Sequence, residues 1–188
     1  MEQTELTVVN SLLQVIGESP LNEVDLSDPD VLSALDIWEE VSSSVQSIGY
    51  WYNTESWDLP VTTEGFVYVP ANVLTVVTGD NDIIKRGNRL YNLDTHSYDF
   101  SDDDTVSVDL TTKWDLEELP PVVFNYILAK CKVNMVAQYA MESNLLGILL
   151  NAQNEMYHRL QVQDLKAQNP NATATGSAQV LLQNKPQR

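Results

Sequence analysis

Residues 8–21, VVNSLLQVIGESPL, decide how the chain begins: an apolar helix, a stop and a turn. Leu6, Val9, Leu13 and Ile16 recur at spacings of three and four, and Val8, Leu12 and Val15 make a second stripe beside them. That spacing puts both stripes on one helix, which is then apolar over two faces and needs a neighbour on each. Gly17 is suited to the left-handed conformation that ends a helix, and Pro20 keeps the helix from restarting. One apolar face belongs to the chain's own bundle; the other calls for a closely packed helix or a neighbouring subunit. The pattern points to a part in an assembly rather than to an enzyme.

Working outward, the next segment repeats this grammar. Ser27 or Asp28 can cap a second helix, Pro29 suits its first turn, and the apolar positions Val31, Leu35, Trp38, Val41, Val45 and Ile48 run up to Gly49. At about 1.5 Å per residue this helix is roughly 30 Å long. From Tyr50 to Trp114 the helical period gives way to β-branched and aromatic residues alternating with polar ones, most cleanly in VSVDLT at 106–111. Phe66-Val67-Tyr68-Val69 and residues 73–77 are further strand candidates, with Gly79-Asp80-Asn81-Asp82 and Arg86-Gly87-Asn88 as turns. A small, mostly antiparallel sheet is therefore expected between two helix pairs.

Pro120 and Pro121 open a third helix, the central one, with Phe124, Ile127, Leu128, Cys131, Met135 and Val136 at helical spacing. After a polar break at Glu142-Ser143-Asn144, the stripe Leu145, Leu149, Ala152, Met156 and Leu160 marks a long fourth helix whose polar far end is free to leave the bundle. The expected fold class is α+β: an antiparallel-type helical bundle from residues 1–49 and 116–169, an inserted β domain at 50–115, and a flexible C-terminal tail at 170–188.

Four stretches occur in a telling order: VNSLLQVIGESPL at 9–21, VQSIGYWYN at 45–53, KRGNRLYN at 85–92 and LPPVVFNYILAKCKVNMVAQYA at 119–140. Together they resemble the tail tubular protein A family, the head-to-tail adaptors of short-tailed phages, and the resemblance runs to about Asn169. It implies a homododecameric ring between the portal protein and a nozzle of the tail tubular protein B type, with tail fibres attached near the junction. Genomic DNA would pass through its lumen without specific binding. The implied location is the virion tail at the portal vertex, after assembly in the host cytoplasm. The family's helical part faces the portal, which makes His158, Arg159, Gln163, Lys166, Val180, Leu181 and Leu182 the portal-contact candidates here. Lys85, Arg86, Gly87, Asn88 and Arg89, a basic tip on the strand-rich part, are the nozzle or fibre candidates.

Charge agrees with a conduit. The chain of 188 residues carries a net charge of −17, and it is unevenly spread: residues 1–119 hold 24 acidic and 4 basic side chains, residues 120–188 hold 3 and 6. Gripping DNA through its phosphates requires Lys and Arg to displace counterions, so this balance argues against it. An acidic channel that repels DNA and a merely soluble acidic surface both remain open readings. A different class of function, an acidic regulator that mimics DNA and binds a basic partner, fits the same charge.

Chemistry is sparse. His96 and His158 stand in no metal-ligand spacing, no nucleophile elbow surrounds a serine, and there is no phosphate-binding glycine loop. A small hydrolase built on an Asp pair lacks any supporting spacing. Asp80-Asn81-Asp82 and Asp102-Asp103-Asp104 lack the full calcium-loop pattern and read as solvated turns. We therefore expect no catalytic residues, no metal site and no cofactor. Tyr50, Trp51, Tyr52 and Trp57 read as packing rather than as a stacking platform for bases, since no Lys or Arg accompanies them. Cys131 has no partner for a disulfide and reads as a core residue. No stretch is long and apolar enough to insert in a membrane, and no secretion segment is expected.

Overall fold

Helix α1 (Glu5–Leu13) starts at Thr4, whose hydroxyl accepts the Thr7 N–H at 3.3 Å, and tightens into a 3-10 turn over Gln14–Ile16. This computed structural model describes residues 4–79, 82–139 and 143–168. Gly17 closes the helix at φ 90°, with Gly17 N–H donating to Gln14 O (3.3 Å) and Glu18 N–H to Leu13 O (3.0 Å). That paired bonding is the Schellman arrangement, which satisfies carbonyls the helix end would otherwise leave orphaned. Asn10 then holds the turn: its side-chain amide donates to Leu21 O (2.9 Å) and accepts from Leu21 N–H (2.7 Å), as a strand partner would. Val8, Val9, Leu12 and Leu13 are buried, and α1 packs on both the second and third helices. Both apolar faces are thus covered from within the chain.

Helix α2 (Pro29–Gln46) is capped by Asp28, whose carboxylate accepts the Asp30 N–H at 2.9 Å, while Ser27 is occupied by Asp25. Val31, Trp38, Val41 and Val45 are buried and Leu35 is partly so. Ile48 departs from the expected core face: α2 ends at Gln46, and Ile48 is 65% exposed. The reason lies at Gln46, which is fully buried and uses its side chain to pair with the Trp114 backbone, accepting Trp114 N–H (2.9 Å) and donating to Trp114 O (3.1 Å). The chain turns off the helix there instead of running on.

The strands follow. β1 (Thr54–Pro60), β5 (Thr105–Thr112) and β2 (Val73–Val77) form an antiparallel sheet in the order β1-β5-β2, and β3 (Ile83–Arg86) pairs with β4 (Arg89–Asn92) as a separate hairpin. Val106, Val108 and Leu110 alternate inward along β5, opposite Leu59 and beside Val73, Val67, Val69, Leu90 and Phe100. Period-two alternation buries one face, as the sequence pattern requires. The expected strand at 66–69 does not form: only Tyr68 makes an isolated bridge, to Arg89. A turn at Gly65 precedes it and Pro70, lacking an N–H, follows it, so the segment is too short to extend a ladder. Its Val67 and Val69 still fill the core under the sheet.

Helix α3 (Pro121–Gln138) is central as expected, touching α1, α2 and helix α4 (Ser143–Gln168). Phe124 meets Trp38 (ring centroids 5.6 Å apart), Tyr126 meets Tyr157 (5.3 Å), and Cys131 is buried against the Ile37 carbonyl. α4 folds back along α3. Its polar end stays attached: Leu160 is fully buried, and the Asp164 carboxylate accepts the Trp51 N–H at 3.0 Å. Two helices precede the strands and two follow them, an α+β architecture with the β part inserted between the helix pairs.

Helices and sheet meet at a polar junction. Asn53, buried, donates to Gln46 O and Thr112 O (2.9 Å each) and accepts Tyr50 N–H (2.9 Å). Gly49, at φ 80°, leaves no room for a side chain: a Cβ there would lie 2.9 Å from Thr54 Oγ1 and 3.1 Å from Thr111 Oγ1.

Candidate partner-facing surfaces

The polar end of α4 gathers four of the seven portal-contact candidates. His158, Arg159, Gln163 and Lys166 are exposed and line one shallow groove with Val122, Glu155 and Val162. They meet because α4 turns its apolar stripe to α3, so positions three and four apart on its outer side fall together. Arg159 donates to Glu155 one turn earlier at 2.6 Å, with both side chains largely in water, so this pair contributes little to stability. Val180, Leu181 and Leu182, the other three candidates, lie outside the described residues, as does the rest of the 170–188 tail.

The basic tip is a two-residue hairpin turn at Gly87-Asn88 between β3 and β4. Gly87 has φ 63° and Asn88 a negative value, the glycine-first pattern that suits the twist of a tight hairpin. Its cations are engaged within the chain. The Arg86 guanidinium lies 3.7 Å from the Tyr91 ring centroid; that of Arg89 lies between Phe66 (4.8 Å) and Tyr98 (4.5 Å). Lys85 donates from Nζ to the Val73 carbonyl. Flat guanidinium stacking on aromatic faces accounts for the arginines, and it leaves only part of this charge for a partner.

Two further surfaces escaped the sequence reading. An open groove between α3 and α4 has Leu128, Leu149 and Met156 in its lining, with Lys132 and Arg159 beside them. Lys132 is half-buried, its ammonium held below the usual lysine pKa by desolvation, and it has no carboxylate partner among the described residues. The signal available was a pair of lysines, Lys130 and Lys132, inside an otherwise apolar helical run. The second surface is a cleft of about 770 Å³ where α1, α2 and the chain after β5 converge. Its walls bring together Glu5, Asp36, Glu39, Asp115 and Glu117, with Lys113 ion-paired to Glu39. These acids come from three separated stretches, so only the fold unites them.

Aromatic packing follows the expectation in part. Tyr50 and Tyr52 are buried, their rings stacked at 6.3 Å, and Trp114 meets Tyr52 edge-on at 5.5 Å. Burial pushes the Tyr50 hydroxyl up to about 12 and that of Tyr52 higher still. Trp57, on the edge strand β1, is 51% exposed because the core beneath the sheet does not reach it. His96 is exposed in the turn after β4, and Asp102 and Asp103 lie in an exposed turn before β5. Asp80 and Asn81 lie outside the described residues. Among the described residues no group of three His, Cys, Asp or Glu is placed to hold a metal ion, and no helix is long and apolar enough to cross a membrane.

What the fold presents is a set of grooves and charged faces carried on two helix pairs, a small sheet and a hairpin. The model of the family described as Tail tubular protein matches residues 6–170, nearly all of the chain, and the chain belongs to that family. Tail tubular protein A of Klebsiella phage KP34 is 29% identical over 152 residues, covering 74% of this chain and 80% of that protein. Both matches point to a structural role in a phage tail.

Proposed function

We propose that the chain is the ring-forming adaptor between the portal and the tail nozzle, part of the channel through which the genome is ejected. The observation that carries this reading is the family match across residues 6–170. In the proposed ring of twelve copies, the α3–α4 end meets the portal through His158, Arg159, Gln163 and Lys166, helped by Val180 to Leu182. The β3–β4 hairpin, residues 85–89, turns towards the nozzle and fibres. The reading has no catalytic step and no cofactor.

Electrostatics supports the conduit. Asp58 and Asp109 stand on the outward face of the sheet, hydrogen-bonded to Ser107 and Ser56, and Asp115, Glu117 and Glu118 stand exposed in the chain after β5. Carboxylates facing a lumen repel phosphates and release no counterions to them, so DNA slides without being held.

The portal contact is tested by binding of the full chain to purified portal rings. Reversing Arg159 and Lys166 to Glu together should weaken binding at least tenfold, and deleting residues 170–188 should also weaken it. Unchanged affinity in both variants would remove the α4 end and the tail from the portal contact.

A further inference from the structure

We propose that the α3–α4 groove of one subunit receives the outer face of α2 from a second copy of the same chain, which makes the contact between neighbours head-to-tail. The inference rests on the ring reading above and assigns the two faces that would close it.

The groove comes first. Its lining is apolar where Leu128, Leu149 and Met156 come together, and Lys132 and Arg159 stand along it. Lys132 is the telling member: a half-buried ammonium with no carboxylate partner among the described residues. A half-buried cation without an anion bears part of the desolvation cost of a buried charge, and a carboxylate delivered from outside would offset it.

The occupant has to be acidic, helical and partly apolar, and the chain carries such a face. On α2, Leu32, Asp36, Glu40 and Ser44 follow one another at intervals of four residues, all exposed, on the side turned away from Trp38, Val41 and Val45. Leu32 is 45% exposed, large for an aliphatic side chain on a helix with a well-filled core face. Two of the other acids on α2 are already engaged, Glu39 with Lys113 and Asp30 with the Tyr139 hydroxyl. Asp36 and Glu40 have no ion-pair partner among the described residues. They stand one turn apart, about 6 Å along the helix axis, so that one can reach Lys132 while the other stays at the rim of the groove. Leu32 would then meet the apolar lining.

Symmetry favours the same pairing. The groove and the α2 face share no residue, so one subunit presents both at once. Such an interface joins unlike surfaces and propagates, closing into a ring where the rotation permits. Buried charge pairs across it would fix register and exclude wrong neighbours.

The test uses the full chain, alone and with portal rings, with particle mass read by sedimentation velocity. Variant A carries Asp36→Lys and Glu40→Lys; variant B carries Lys132→Glu. Each alone should need at least tenfold more protein than the wild type to assemble, because like charges face one another. Mixed in equal amounts they should assemble again, since A's basic helix fits B's acidic groove and B's acidic helix fits A's basic one. Asn125→Glu, at an exposed position lining the same groove, replaces Lys132→Glu if the latter lowers the melting temperature. Assembly of both variants at wild-type concentrations, or a mixture that stays unassembled, overturns the pairing while leaving the ring. A wild type that stays monomeric even with the portal overturns the ring reading and the pairing with it.

Discussion

Asn53 shows how much one buried side chain can hold. It joins the end of α2, the turn after it and the end of β5 through three side-chain hydrogen bonds. Asn53→Ala would leave the Tyr50 N–H without its acceptor and take a donor from the Thr112 and Gln46 carbonyls, the latter keeping only the Gly49 N–H at 3.2 Å, and should cost about 2–4 kcal/mol, read from denaturant unfolding. An unchanged midpoint would mean the junction does not depend on it. Gly49→Ala should cost about 1–2 kcal/mol more than an ordinary surface Gly→Ala, because the position combines a left-handed φ with a close approach to Thr54 and Thr111. The motif at 45–53 could be quoted from the sequence, but its reason could not: Gln46 and Asn53 find their partners 68 and 59 residues away. Cys131 was legible, since a small apolar-spaced residue in a helix has few roles. Burial raises its thiol from 9.0 to about 12. Because the folded pKa lies above the unfolded one, the stability tied to the protonated thiol is fully present below pH 9 and is lost as pH rises through about 12. Cys131→Ala should therefore flatten the alkaline limb of the stability profile between those values, and the native thiol should resist a disulfide reagent at neutral pH. A thiol that reacts as fast as in the unfolded chain would contradict its burial.

Elements were read from the sequence better than the contacts between them. The helices begin where Thr4, Asp28 and Pro121 permit, and β2 and β5 stand where alternation places them. The errors share a cause, which is that periodicity does not register what the rest of the chain does to a segment. Ile48 keeps the apolar period of α2 after Gln46 has turned the chain away, and residues 66–69 look like a strand yet meet a proline. The β3–β4 hairpin sets a test at this scale. Arg89 lies between two rings, so Arg89→Ala should lower stability by about 1 kcal/mol, whereas Arg86→Ala, with one ring, should cost less. Equal, negligible effects on the melting temperature would show both arginines to be free for a partner. At the other end of the molecule, Asp164→Ala should raise amide exchange at Trp51 and over the last turns of α4, since the side chain ties that helix to the loop after α2.

For the whole molecule, the uneven charge and the over-apolar first helix were both visible in sequence, and they fared differently. Helix α1 needs no neighbouring subunit, because α2 and α3 cover both its stripes. The surfaces that remain for assembly are instead the α3–α4 groove, the α4 end and the acidic faces, and the first and last of these depend on residues brought together by folding. The four described portal candidates need no long-range folding to meet, because they lie within nine residues of one helix. The proposed function requires a coaxial adaptor ring. Electron microscopy of the purified chain mixed with portal rings tests it most directly. A second ring should sit on the portal axis, with the α3–α4 end towards the portal and carboxylates around the lumen. A chain that remains monomeric and leaves the portal bare, or a ring with a basic lumen, would contradict it.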